Sequence, residues 1–481
     1  MKHSWLATAT AAVLLGSSVF ISAAADPGVT LIGSGIVPAS ALDASGLTGV
    51  ICALDIDKNA TNTCIDKRTL GGFGSGLAYT GHDNVFLAVP DRGPFDGRTD
   101  VPYLDRFHFM QITVDTSAPF PPTTQASNIN VVLLDTRFFM DNGNRNFVGD
   151  AYAFSTADPL DTLRFDPEGV IVSPDGTFFV SDEYGPYVRQ FNRMGHLLQR
   201  LPVPSKFLLD PQTGTQTGDI NNPTDAASLE LTPNNNSTGR QANRGMEGLT
   251  ITPDGRTLVG IMQNALIQDN GLVTGLDPDI VPGRRGLVNR ILTIDLQTSE
   301  THEYAYVVDA INQGRGVNEI LAINDHEFLV LERDNRTFLA GPTNDPRLKR
   351  IYKIDLKKNG VNDVTDVSDI ANLPETANGL ALQGIVPVPK TLFLDMLNDA
   401  YKVDATHTIK SVIAEKIEGM AWGPDLSDGR HLLFVISDND LSTTIGTQIY
   451  AFAIAPSTVD LQPQQLPEPL FSPGQLKKTL Q

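Results

Sequence analysis

The chain has 481 residues, with 36 Lys and Arg against 56 Asp and Glu, a formal net charge of −20 and only two cysteines. That acidity argues against a nucleic-acid backbone or an anionic lipid surface as partner, because both require a basic face. Length alone admits either two average domains or one large β-domain.

In chain order, residues 1–25 have the pattern of an export signal: Lys2 and His3 charge the start, 6–21 is apolar, and Ala23-Ala24-Ala25 offers a small-residue cleavage site. Thr8, Thr10, Gly16, Ser17 and Ser18 interrupt the apolar run, which argues against a retained anchor. No later segment reads as a membrane span. The protein is expected in a periplasm or the extracellular medium, where Cys52 and Cys64 would form one disulfide. Asp55, Asp57, Asn59 and Asp66 fall at oxygen-ligand spacings of a calcium loop, although Ala60 replaces the turn glycine and Asp66 the usual Glu. The alternative is an ordinary polar surface loop closed by the disulfide.

From residue 71 onward a phrase recurs: Glu-Gly-aliphatic, a turn often built on Asp-Gly, and an apolar run ending in acids. Its clearest copy runs from Pro167-Glu168-Gly169-Val170 through Pro174-Asp175-Gly176 to Val180-Ser181-Asp182-Glu183. Weaker copies begin at Ser75-Gly76-Leu77, Glu247-Gly248-Leu249, Glu319-Ile320-Leu321 and Glu418-Gly419-Met420. A hairpin unit cannot bury both of its faces, so repetition implies a closed array of blades.

Further apolar runs extend each hairpin to a four-stranded meander. The first copy supplies 76–80, 85–90, 106–114 and 130–134, and the second 168–173, 177–180, 187–191 and 197–201. The third supplies 247–252, 257–262, 288–296 and 301–308, and the fourth 319–323, 327–331, 350–356 and 361–367. The last copy supplies 418–422, 431–436 and 448–454 but lacks a fourth strand, which 28–37 would provide, closing the ring and removing its exposed edges. The fold expected is all-β: a single β-propeller over 26–460, with five countable blades. Room for a sixth remains between Leu373 and Ile413, where 390–394 is strand-like. Polar insertions at about 211–243 and 371–415 read as loops, and 461–481 as a Pro-rich tail.

Antiparallel pairing places the start of each first strand beside the end of its second, so the acids there share one rim. The expected cation ligands are Glu168, Asp182, Glu183, Glu247, Glu319, Glu332, Glu418, Asp438 and Asn439. Asp91, Gln263, Asn264, Asp334 and Asp440 lie at the same strand ends. Crowded carboxylates raise one another's pKa unless positive charge intervenes. Hard oxygen donors suit Ca²⁺, or alternatively Mg²⁺, while no His-x-x-x-His or Cys-x-x-Cys supports zinc. Arginines near these acids, including Arg92, Arg244 and Arg333, either pair with carboxylates between blades or bind phosphate. No Gly-x-Ser-x-Gly elbow, Walker or dinucleotide glycine pattern is present.

The stretches Asp166-Pro167-Glu168-Gly169, Ser181-Asp182-Glu183-Tyr184-Gly185-Pro186, Lys416-Ile417-Glu418-Gly419-Met420 and Ser437-Asp438-Asn439 resemble the phytase-like propeller family described as having esterase-like activity of phytase. The resemblance implies an exported propeller, calcium-dependent phosphoester hydrolysis of a small phosphorylated substrate, and site roles for Glu168, Asp182, Glu183, Glu418, Asp438 and Asn439. Alternatives are a non-catalytic ligand- or partner-binding propeller with structural calcium, and a metal-dependent lactonase.

Overall fold

The computed structural model describes residues 28–466, apart from 56, 58, 118, 124–126, 151–162, 186, 209–237, 242, 270–271, 274–282, 285–286, 310–315, 342, 359 and 371–383. The expected export signal, most of the 211–243 insertion and the first part of 371–415 lie outside the described residues.

Five four-stranded antiparallel sheets follow one another around a ring. Blade 1 comprises Gly76–Tyr79, Val85–Val89, Arg106–Val114 and Ile129–Phe138; blade 2 comprises Pro167–Val172, Phe178–Asp182, Val188–Phe191 and Leu197–Leu201. Blade 3 comprises Met246–Ile251, Thr257–Met262, Val288–Asp295 and Thr301–Val307. Blade 4 comprises Gly316–Ala322, Glu327–Arg333, Lys349–Asp355 and Lys390–Asp395. Blade 5 joins Lys416–Trp422, His431–Asp438 and Thr447–Ile454 to the N-terminal strand Val29–Val37. Val29 faces Ile454 and Val37 faces Thr447, so the start of the described chain closes the ring against its last strand.

Sequence pattern explains the layering. Inner strands such as Pro167–Val172 and Met246–Ile251 are buried at every residue and, apart from Glu168, Glu247 and Thr250, consist of apolar residues and glycine. The outer Leu197–Leu201 exposes its middle residues. Tight turns join the first two strands of a blade: Gly176 at φ 82° and Gly255 at φ 73° supply the left-handed residue that their Asp-Gly turns require. Apolar cores lie between blades; Phe107 of blade 1 packs on Phe178 of blade 2 with ring centroids 5.0 Å apart.

Two expectations are corrected here. The segment at 390–394 does not seed a sixth blade, because Lys390–Asp395 pairs with Lys349–Asp355 as the outer strand of blade 4. Residues 361–367, expected to be that outer strand, instead run along the edge of blade 3, where the Val364 amide donates to the Glu303 carbonyl at 2.8 Å. Asp363 turns that segment locally by accepting the Thr365 amide, which competes with regular pairing.

The inner strands meet so closely that four of the five blades present glycine at one level of the axis. A Cβ on Gly169 would lie 2.4 Å from the Leu249 nitrogen, one on Gly248 2.6 Å from the Ile320 nitrogen, and one on Gly76 2.3 Å from the Glu168 carbonyl oxygen. Just before this level the first and second strands slip register, between Pro167 and Val170, Met246 and Gly248, Val317 and Glu319, and Ile417 and Gly419. Such bulges re-aim the extra residue. In blades 3 and 5 that residue is Glu247 or Glu418, but in blade 4 it is Asn318. Glu319 therefore stands where the other blades carry glycine, and the Glu319-Ile320 alignment made from sequence is off by one. The facing strand decides this: Val317 pairs with Glu332 as Met246 pairs with Met262.

Gly248→Ala is expected to destabilise the protein by about 2 kcal/mol or more through overpacking against backbone that cannot rotate away. Urea unfolding midpoints measure this; an unchanged midpoint would contradict the axial close approach.

Candidate functional site

The bulged residues and the ends of the second strands surround a cleft of about 100 Å³ on the axis. Glu168, Glu183, Glu247 and Glu418 line it, together with all three expected phosphate-binding residues, Arg92, Arg244 and Arg333. Lys416 and Asp91 complete its wall beside blade 5 and blade 1.

Two groups of three carboxylates have ligand oxygens within 4.8 Å of one another: Asp166, Glu168 and Glu183, and Asp91, Asp438 and Asp440. The first is the more deeply enclosed, all three residues being buried. Arg92 approaches it from one side, donating to Asp166 Oδ2 at 2.9 Å and Glu183 Oε2 at 3.4 Å. The opposite oxygen, Glu183 Oε1, is buried with no hydrogen-bond partner among the described residues. Neighbouring Glu247 repeats this arrangement: its Oε1 accepts from Gln263 at 2.8 Å and from Asn318 at 2.7 Å, while its buried Oε2 accepts from none. A pair of orphaned carboxylate oxygens beside a three-carboxylate group is a donor set suited to a hard divalent cation. Each group also meets a cation of the chain, Arg92 at the first and, at the second, Lys416, which pairs with Asp440 and lies 3.6 Å from Asp438; the second leaves one buried oxygen, Asp438 Oδ2, without a hydrogen-bond partner among the described residues.

Electrostatics follow from burial. Desolvation, and then the Glu247 charge, push the Glu183 carboxyl up to about 8. Desolvation followed by the Glu418 charge does the same for Glu247, also to about 8. Asp166 rises to about 7 through burial despite Arg92, and Glu168 lies well above the carboxylate range through burial and then Glu247. Asp438 is raised by burial and then by Asp440.

The structure gathers Glu168, Glu183, Glu247 and Glu418 and leaves other expected ligands elsewhere. Asp182 is paired with the buried Arg189 and accepts the Asp166 and Tyr184 amides. Glu332 lies between blades 3 and 4, held by Tyr306 and the Asp309 amide from blade 3 and by Lys390 from blade 4. Asn439 spends both ends of its amide on backbone, accepting from Gly72 at 2.7 Å and donating to Ile445 at 2.7 Å. Glu319, in the glycine position, points along the axis and accepts the Ile320 and Leu249 amides at 2.9 and 3.1 Å. Its carboxylate thereby joins the inner strands of blades 3 and 4. Asp438 belongs to the neighbouring group.

Of the residues at calcium-loop spacing, Asp55 lies just past the strand Val50–Leu54, and its Oδ1 accepts the Asp57 and Asn59 amides. Asp66 lies at the other end of that hairpin, opposite Val50 and paired with Arg68. Cys52 and Cys64 face each other across this hairpin in a disulfide.

Sequence reasoning missed Asp166 and Asn318. Asp166 lies two residues before Glu168, a strand-period spacing that could have flagged it. Asn318 became visible only through the bulge register. Its side-chain nitrogen bridges Glu247 at 2.7 Å and Glu418 at 3.3 Å, and Arg333 closes the ring by pairing with Glu418 at 2.5 Å.

Residues 68–441 match the phytase-like family, described as having esterase-like activity of phytase. An uncharacterized secreted protein of Arthroderma benhamiae is 28% identical over 87% of this chain and 88% of its own length. Among solved structures, a Dyadobacter fermentans protein of unknown function is 9% identical at a TM-score of 0.31, covering 89% of this chain and all of that one. A luciferin-regenerating enzyme is 10% identical at 0.27, covering 87% of this chain and 100% of its own. No helix among the described residues is long and apolar enough to cross a membrane.

Carboxyls held near 8 when folded and about 4.3 when unfolded bind more protons in the folded state across that window. Their burial therefore costs stability that grows as pH rises from about 4 through about 8. In chelator-treated protein, Glu247→Gln is expected to raise the melting temperature at pH 8 and to change it little at pH 4.5. Equal effects at both pH values would contradict the raised Glu247 carboxyl.

Proposed function

The chain belongs to the phytase-like family, and on that premise we propose that it is an exported, divalent-cation-dependent hydrolase of small phosphate esters. One observation carries the reading: three buried carboxylates converge within 4.8 Å, with orphaned oxygens beside them and guanidinium groups on the same cleft. Asp166, Glu168 and Glu183 would hold Ca²⁺, and Glu247 stands next to them with one unengaged oxygen. Mg²⁺, which tolerates less variation in geometry, fits a set drawn from bulged strands less well. When bound, the cation supplies Lewis-acid polarisation of a phosphoryl oxygen.

The chain's own groups do the rest. Arg92 is fixed by Asp166 and Asp96 and keeps positive charge against the carboxylates. Arg333, anchored on Glu418 and Asn335, has a buried Nε without a hydrogen-bond partner among the described residues. With Arg244, oriented by Gln263 and Asn264, it offers the anion a forked donor surface on the far side of the acids. Export is supported by the leader pattern and by the secreted relative.

The mature protein, residues 26–481, is expected to release phosphate from phosphomonoesters or phytate with added Ca²⁺, to stop in EDTA, and to lose roughly 100-fold or more of kcat in Glu168→Gln. Phosphate release insensitive to both EDTA and Glu168→Gln would overturn the cation-centred mechanism. Turnover of acyl esters or lactones in place of phosphate esters would transfer the same cleft to carboxylic-ester hydrolysis. No turnover of any of these, with Ca²⁺ still bound, would leave a binding propeller.

A further inference from the structure

The inner strands that carry the acids at one end of the axis bring a different surface together at the other. Leu77, Ile171, Ile251, Leu321 and Ala421 surround a cavity of about 450 Å³ there, within the range of roughly 300–1,000 Å³ typical of small-molecule sites. The acid cleft at the opposite end is less than a quarter of that volume. Tyr79 and Trp422 add aromatic walls. The Trp422 indole is held in place by donating Nε1–H to the Ala322 carbonyl at 2.9 Å.

The last described residues build one side of this cavity. Past Val459 the chain crosses from blade to blade: the Gln462 amide donates to Ile323 of blade 4 at 2.8 Å and the Gln465 amide to Pro253 of blade 3 at 3.2 Å. The Gln464 side chain donates to the Val172 carbonyl of blade 2. Leu466 then packs over Gly81 beyond the inner strand of blade 1, where a Cβ on that glycine would lie 2.8 Å from the Leu466 Cβ. The segment at 460–466 is therefore a strap fixed at successive blades. Among the described residues the strap makes no hydrogen bond to blade 5, where Leu461 joins the apolar cluster that includes Met420, and Trp422, Asp425 and His431 line the mouth on that side. His431 Nδ1 and Asp425 Oδ1 lie 2.8 Å apart there and satisfy each other.

We propose that this strapped cavity is a second binding site, for a compact uncharged amphiphile whose aromatic or cyclic body lies against Trp422 and Tyr79 and whose single polar group stays at the blade 5 mouth. Three features select that chemistry. The inner wall is aliphatic, which suits an apolar body. The flat rings of Trp422 and Tyr79 suit stacking or edge contact. At the mouth, His431 and Asp425 hydrogen-bond to each other, so a polar group there meets a side-chain pair that is already matched. The site is independent of the proposed hydrolysis, being built at the opposite end of the axis.

The test uses N-phenyl-1-naphthylamine, an uncharged aromatic probe, titrated into residues 26–481. Trp422 is the only tryptophan in that span, so its emission reports the site directly. Expected is saturable one-to-one binding with quenching of Trp422 by energy transfer. Pro424→Phe, which narrows the mouth, should weaken binding at least tenfold while leaving the calcium-dependent rise in melting temperature unchanged. Removal of 461–481, if the product still melts cooperatively, should weaken it similarly. Non-saturating fluorescence, or wild-type affinity in Pro424→Phe, would overturn the proposal and leave a solvent-filled funnel.

Discussion

A Cβ placed on Gly419 would lie 2.9 Å from the Gly74 carbonyl, and one on Gly248 2.7 Å from the Glu319 Cα. Inner strands packed at that separation have no room for side chains at the glycine level, so each must either present glycine or send its side chain along the axis. Glu319 takes the second course. Directly above that level the register slips, and the bulged residue is turned toward the axis. The same crowding that closes the ring thus also delivers Glu247, Asn318 and Glu418 to one cleft. Fold and candidate site share a single steric cause.

Charge then divides the cleft into unequal parts. Where Lys416 and Arg333 reach the acids, as at Asp440 and Glu418, the chain supplies its own counter-ions. Around Glu168, Glu183 and Glu247 the supply falls short, and burial lifts their carboxyls instead. A buried acid group without compensation opposes folding in the metal-free state. Retaining it makes physical sense where a ligand of opposite charge completes it, and perturbed carboxyls in a cleft commonly mark such places. Stability and binding are in tension at these residues, which is why their isosteric amides separate the two.

Much of this was legible in the sequence because propeller repeats are local. Asp-Gly turns, continuous apolar inner strands and the missing fourth strand of the last copy sufficed to place five blades and to assign 28–37 as the closing strand. What the sequence hid was register. The motif Glu319-Ile320 looks like its neighbours, yet pairing of Val317 with Glu332 moves the site position to Asn318. Side-chain direction was hidden for a related reason: Asp182 and Glu332 occupy the expected strand ends, but their orientation depends on Arg189, Tyr306 and Lys390, which lie on other strands. Outer strands were likewise ambiguous, since 361–367 and 390–395 each offer a short run with three apolar residues and only pairing with Lys349–Asp355 distinguishes them.

The cation proposed for Asp166, Glu168 and Glu183 can be sought in an anomalous difference map from crystals grown with a lanthanide in place of Ca²⁺. The predicted result is a principal peak among those three carboxylates, absent from Glu168→Gln crystals. A principal peak at Asp91, Asp438 and Asp440 instead, or no peak inside the cleft, would contradict it.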